Sequence, residues 1–173
     1  YQDTDNNPWA GDYDRPGRAS GKNRSLQANI NWKVGGVDVT AITAYTNVRR
    51  LQQEDTDMNP FLGGGQDQSF IAPNFGAETD TWTQELRFSG EGERFRWLTG
   101  GYYFHNKVDG HYSLNTDAIG FVRLDANYVQ KTRSVDLFGQ LEFDLSDTLT
   151  VIGGLRWTHE KKNLDYNNID TSG

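Results

Sequence analysis

The chain has 173 residues, no cysteine, a formal net charge of −7, and only 35% hydrophobic residues beside 13% aromatics. These totals exclude a disulfide-stapled fold, and no apolar run approaches the roughly 20 residues of a membrane-crossing helix; the charge disfavours nucleic acid as a partner. Disordered chains are usually poor in aromatics, whereas a membrane β-barrel tolerates low mean hydropathy because its strands alternate.

Residues 1–24 are polar and turn-rich and are expected to form a loop. From Ser25 a period of two begins: Leu26, Ala28, Ile30, Trp32 and Val34 interleave with Ser25, Gln27, Asn29, Asn31 and Lys33. Gly35-Gly36 suits a two-residue type I′ turn, since glycine accepts positive φ at both positions. The return strand from Val37 to Leu51 then pairs Val34 with Val37, Trp32 with Val39, Leu26 with Tyr45 and Lys33 with Asp38, matching faces and opposite charges. Gln52 to Ala77 reads as a long irregular loop with Pro60, Pro73 and Gly63-Gly64-Gly65. No Lys or Arg lies between Leu51 and Asp80, so this side is expected to repel anions. Strand three sets Trp82, Leu86 and Phe88 against Thr81, Thr83, Glu85 and Arg87. The turn Gly90-Glu91-Gly92-Glu93 leads to strand four, Phe95 to Lys107. Its odd-numbered set (Phe95, Trp97, Thr99, Gly101, Tyr103) is preferred for the apolar face over Leu98, Gly100, Tyr102 and Phe104. Val108 to Gln130 is expected to be another long loop.

The last hairpin is the longest pattern. Val135, Leu137, Gly139, Leu141 and Phe143 share one face with Leu149, Val151, Gly153, Leu155 and Trp157, while Phe138 and Ile152 interrupt the polar one. With Asp144-Leu145-Ser146-Asp147 as the turn, Leu137 is predicted to meet Leu155, Gly139 to meet Gly153, and Asp136 to meet Arg156. A polar tail follows from Asn163. The domain reading is therefore a wall segment over 25–165 with hairpins near 25–51, 79–107 and 131–162, flanked by the loop 1–24 and by the start of another loop at 166–173.

Alternation alone fits a soluble sandwich as well as a barrel. Three features favour the barrel. The strands run about 10 to 13 residues against roughly 5–6 in ordinary sheets, and a tilted strand needs about 9–11 to cross a bilayer. Tight turns lie at one end and long loops at the other. Trp32, Tyr45, Trp82, Trp97, Tyr103 and Trp157 fall on the apolar face near strand ends, where interfacial aromatics sit. Six strands do not close a barrel, because bacterial single-chain barrels begin at about eight. The fold class predicted is an all-β antiparallel transmembrane β-barrel segment of meandering hairpins, part of a larger barrel.

Several blocks, in order, carry a family resemblance: Ala41-Ile-Thr-Ala-Tyr45 with Gln52-Gln-Glu-Asp55, Thr83-Gln-Glu-Leu-Arg-Phe88, Trp97-Leu-Thr-Gly-Gly-Tyr-Tyr-Phe104, Leu137-Phe-Gly-Gln140, and Leu149-Thr-Val-Ile-Gly-Gly-Leu-Arg-Trp-Thr-His-Glu-Lys-Lys162. Over roughly residues 25–165 the chain resembles the barrel of TonB-dependent outer-membrane receptors. The resemblance implies short periplasmic turns, long extracellular loops (1–24 and 166–173 among them) and a bacterial outer-membrane location. It also implies active uptake of a scarce bulky nutrient such as a ferric siderophore, cobalamin or an oligosaccharide. The partners it implies are outer-membrane lipid, the remainder of the barrel, a plug domain, the TonB complex and a small-molecule substrate. The sequence contains no TonB box, no plug and no terminal aromatic signature of a last strand. A passive porin and a soluble all-β adhesion or carbohydrate-binding module are the alternatives.

No nucleophile–base–acid arrangement is present, and His105, His111 and His159 fall in no metal-ligand spacing. No enzyme activity and no cofactor are expected. Glu85, Arg87, Asp136, Gln140, Glu142, Arg156 and Glu160 are candidates to line the lumen, binding a plug, guiding substrate or simply hydrating the wall. Phe61, Phe70, Phe75, Tyr112, Phe121 and Tyr128, assigned to the long loops, are candidates to stack on a ligand.

Overall fold

A computed structural model describes residues 17–53, 74–115 and 123–170. They form six strands: β1 (Arg18–Val34), β2 (Val37–Gln53), β3 (Asn74–Glu91), β4 (Phe95–Asn115), β5 (Arg123–Ser146) and β6 (Leu149–Asp170). Each is antiparallel to the next, and the sheet order β1-β2-β3-β4-β5-β6 is the sequence order. The fold is thus the all-β meander that the alternating hairpins predict.

The strands are longer than the sequence pattern suggests. Residues 18–24, expected to be loop, belong to β1, and 163–170, expected to be tail, belong to β6. Most of 108–130 is likewise strand, with β4 reaching Asn115 and β5 starting at Arg123. Polar composition misleads there because a paired strand satisfies its backbone whatever its side chains.

The β1–β2 register is the predicted one, with Leu26 opposite Tyr45, Trp32 opposite Val39 and Val34 opposite Val37. Gly35 and Gly36 adopt φ of 56° and 85°, which only residues tolerant of positive φ reach without strain. Lys33 Nζ lies 3.4 Å from Asp38 Oδ1 beside this turn. The β5–β6 register differs from expectation by two residues. Leu137 faces Trp157 rather than Leu155, Gly139 faces Leu155 rather than Gly153, and Asp136 faces Thr158 rather than Arg156. The tight turn is Asp147-Thr148 rather than Asp144-Leu145-Ser146-Asp147, so the hairpin closes on Ser146 and Leu149, and an irregularity between Asp144 and Ser146 takes up the odd residue and keeps the faces matched. A slip of two residues preserves faces, and Arg156 still reaches Asp136 diagonally.

The odd set of β4 does share the apolar face: Trp97 pairs with Leu141, Gly101 with Leu137, and Tyr103 with Val135. Phe138, which interrupts the polar face, lies across its partner Gly100. A Cβ there would stand 2.7 Å from the Phe138 ring and 2.5 Å from the Leu86 carbonyl oxygen, so this glycine exists for close approach. Trp97 covers Gly90 in the same manner.

Burial is inverted relative to a water-soluble sheet. Thr132, Ser134 and Asp136 are 5%, 7% and 3% exposed, while Leu137 and Trp157 on the opposite face are 58% and 57% exposed. A flat single layer would expose both faces equally. The sheet therefore curls with its polar face inside and its large apolar side chains outside. No second layer covers those side chains among the described residues, contrary to the sandwich alternative.

Candidate functional site

The concave face holds two regions in succession, set by position along the strands. The first occupies the half near the tight turns. Glu85 and Arg87 form an ion pair on β3, and Arg156 of β6 pairs with Asp136 of β5, which also accepts a 3.1 Å hydrogen bond from Ser134 Oγ. Nearer the turns Arg96 donates to Glu142 (3.0 Å) and to both Asp144 oxygens (2.8 and 3.1 Å). Gln140 donates to Glu142 at 3.0 Å, and the Thr150 hydroxyl donates to Asp144 at 2.6 Å. The register puts all seven predicted inner-face residues on this one surface, including Glu160, whose backbone partner is Ser134. Six of them are committed to ion pairs or hydrogen bonds with one another or with nearby residues, which makes the surface hydrated and electrostatically balanced. Such a surface exposes no activated nucleophile.

The second region begins farther from the turns, where the polarity of both faces reverses. Phe75, Tyr112 and Tyr128, assigned from sequence to loops, lie on β3, β4 and β5. By alternation all three are on the concave face. The Phe75 and Tyr112 rings are 4.9 Å apart at 42°, a favourable tilted contact. Tyr128 lies flat across its partner Gly110, occupying the volume that a Cβ would take. These rings and Ala77 line a groove of about 420 Å³ with Arg50, Gln52, Gly76 and His111 at its edges. Arg50 donates to Gln52. This arrangement offers flat apolar faces with a guanidinium at the margin, suited to stacking on a planar or cyclic ligand and to a polar contact beside it. Sequence reasoning does not find Arg50; His111, of the convex parity on β4, borders the groove while its Nδ1 lies 3.0 Å from Asn127 Oδ1 on the other face. The available signal is that strict alternation continues beyond Val135 and Tyr103 with its phase inverted. Phe61, Phe70 and Phe121 lie outside the described residues.

On the convex face the six predicted aromatics divide into two lines. Trp32 and Trp97 are near the tight turns, whereas Tyr45, Trp82, Tyr103 and Trp157 mark the far end of the apolar band. Tyr45 and Trp82 are cross-strand partners with ring centroids 6.4 Å apart, and the Tyr45 hydroxyl donates to Asp80 at 2.5 Å. Beyond that line the convex face is polar. Asn47 donates to Glu78 (3.0 Å) and Asp80 (2.9 Å), and Arg49 donates to Glu78 at 2.8 Å. These donors hold the Glu78 carboxyl below its usual range, the Asn47 amide and the Arg49 guanidinium being the leading causes.

Comparison with known proteins bears on this geometry. The family model for the TonB dependent receptor-like β-barrel matches residues 1–173. Among solved structures, the ferric yersiniabactin uptake receptor FyuA from Yersinia pestis superposes with a TM-score of 0.68 at 15% identity. The match covers 90% of this chain and 22% of that one. The likeness in fold is clear at an identity too low to carry a ligand across, and the chain spans about a fifth of that receptor's length.

Proposed function

Because the chain belongs to the TonB-dependent receptor-like β-barrel family, we propose that it forms a stretch of the wall of an outer-membrane barrel that takes up a scarce, bulky nutrient. Its convex face meets lipid, its concave face meets the lumen and a plug, and its aromatic groove lies at the extracellular mouth. The TonB complex energises release through parts of the receptor outside this chain. A ferric siderophore, cobalamin or an oligosaccharide is the substrate class proposed.

The observation that carries this reading is the inverted burial. On 26–34, 37–45, 82–90, 95–103, 135–143 and 149–157 the apolar set faces outward over about 9 residues, the length a tilted strand needs to cross hydrocarbon. Leaving such a band uncovered in water is costly at roughly 25 cal/mol per Å², and lipid removes that cost. Both aromatic lines bound the band, as Trp and Tyr do at membrane interfaces. The limit of the apolar set steps back toward the turns from Tyr45 and Trp82 to Val135 and then Trp157. Strand tilt requires this slant, because ladder rungs then run obliquely to the membrane plane.

The test uses the full-length receptor in vesicles containing brominated lipid. Emission from Trp32, Trp82 and Trp157, each assayed as the remaining tryptophan of the wall segment, is expected to be quenched. Emission from a tryptophan placed at Gln140 is expected to persist. Equal quenching at all four positions would overturn the assignment of faces. At the mouth, Tyr128→Ala is expected to weaken ligand retention by about tenfold or more, the usual cost of removing a central aromatic contact.

A further inference from the structure

The aromatic residues of the concave face fall into a row whose direction the groove alone does not explain. Beyond Phe75, Tyr112 and Tyr128, β6 contributes Tyr166, the direct cross-strand partner of Tyr128 and exposed on the same face. Phe75 lies seven residues past Trp82, where the apolar band ends on β3, and Tyr128 lies seven past Val135. Tyr112 lies nine past Tyr103, and Tyr166 nine past Trp157. Four strands thus lift one ring each to nearly the same height, roughly 20 Å beyond the band for a tilted strand. The row therefore follows the slant of the wall and runs around the lumen instead of down it. Its ends on β3 and β6 are three strand spacings apart, about 14 Å. Ala126, beside Tyr112, is 2% exposed, and Tyr128 is folded flat over Gly110, so neither interrupts the row.

We infer that Phe75, Tyr112, Tyr128 and Tyr166 bind a linear, uncharged oligosaccharide laid along the wall, parallel to the membrane. This rests on the wall reading above and selects one class of nutrient from it. Shape decides first. A compact chelate or corrinoid meets a row on one wall at one or two rings, whereas linked pyranose rings, about three over this length, use all of it. Chemistry decides next. A pyranose turns an apolar C–H face to an aromatic ring and carries its hydroxyls at the edge, where they need hydrogen-bonding partners. The groove margin supplies Arg50 and Gln52 beside Phe75 and Tyr112, and three of the four rings carry a phenol. Charge decides last. Arg50 is the single Lys or Arg lining the groove among the described residues, and no Lys or Arg lies between Leu51 and Asp80. A multiply anionic chelate finds little there to neutralise it, and a neutral glycan needs no neutralising.

The experiment titrates full-length receptor, in a neutral detergent that carries no sugar, with cello- and malto-oligosaccharides from the monosaccharide upward. Ferrioxamine B and cyanocobalamin are titrated beside them, and binding is read by calorimetry. In at least one glycan series affinity is expected to rise by about tenfold or more from one ring to three, then to level off once the row is covered. Phe75→Ala and Tyr166→Ala, at the two ends, should each weaken trisaccharide binding by about tenfold and shorten the length at which affinity levels off. Asn167→Ala, on the opposite face of β6, should bind as the parent does. Affinity that is independent of chain length in both series, or an absence of glycan binding, overturns the inference. So does tight binding of ferrioxamine B or cyanocobalamin that both end variants weaken. Loss of the lipid-quenching pattern would instead overturn the wall reading. Failure of the glycans with that pattern intact sinks only the choice of nutrient, so the two failures are separable.

Discussion

The turn-side and loop-side halves of the six strands belong to one hydrogen-bonded sheet and carry opposite polarities. Near the tight turns, Leu137, Leu155 and Trp157 point outward while Asp136, Arg156 and Glu142 point inward. Near the long loops, Arg49, Glu78 and Lys131 point outward while Phe75, Tyr112 and Tyr128 point inward. The backbone does not distinguish the halves, because sheet pairing satisfies N–H and C=O in lipid and in water alike. What differs is the medium outside. On the proposed reading, hydrocarbon selects apolar side chains on the outer face of the first half, and water selects polar ones on the second. That second selection leaves the inner face free to carry aromatics. On that reading one strand is membrane wall over half its length and a candidate binding surface over the other.

The contrast is broken most strongly by placing charge on the outer face. Leu137→Arg is expected to destabilise the receptor in vesicles by about 2 kcal/mol or more, measured by urea unfolding. Asn167→Arg, on the same face in the other half, should stay within about 0.5 kcal/mol. Equal costs at the two positions would mean that both halves meet one medium.

Inner-face glycines sharpen the comparison at smaller magnitude. Gly100→Ala drives a methyl against the Leu86 carbonyl oxygen at 2.5 Å and against the Phe138 ring, and backbone does not yield readily. A cost of about 1–3 kcal/mol is expected. Gly110→Ala meets only the Tyr128 ring among its nearest atoms, and that ring can swing into the groove. Stability should therefore change by less than about 1 kcal/mol while ligand retention falls. Thermal melts paired with ligand-retention assays on both variants check the split.

The smallest effect concerns pH and belongs to the loop-side half. Glu78 is held below its ordinary range by Asn47 and Arg49, so its folded pKa lies below its unfolded one. Its contribution is complete above the usual carboxylate range and disappears as pH falls through the depressed value. The stability difference between parent and Glu78→Gln should thus be constant near neutrality and close on acidification. It should also shrink with salt, since the group is exposed.

How much of this is legible in the sequence depends on what fixes each register. Gly35-Gly36 admits few turn geometries, so β1 and β2 pair residue by residue from the amino-acid pattern alone. The turn after Asp144 carries an irregularity that side-chain types do not announce. Faces there are readable while the partners of Leu137 and Gly139 are not. The groove is hidden for a different reason. Between Val135 and Tyr128 the apolar set moves from odd to even positions, and a search for one continuous phase reads that crossing as the end of the strand. Arg50 is an ordinary surface residue by type, and only cross-strand register brings it into the groove with Phe75 and Tyr112.

Among the described residues each strand pairs only with its sequence neighbours, and this has a bearing on how such walls change over generations. Gaining or losing one up-and-down unit leaves inward and outward assignments elsewhere untouched, because direction and parity are both restored after two strands. Removing one strand alone would send every later loop to the wrong side of the membrane. Circumference in this architecture is therefore inherited in steps of two, and each step adds or removes a complete panel with its own outer grease and inner chemistry.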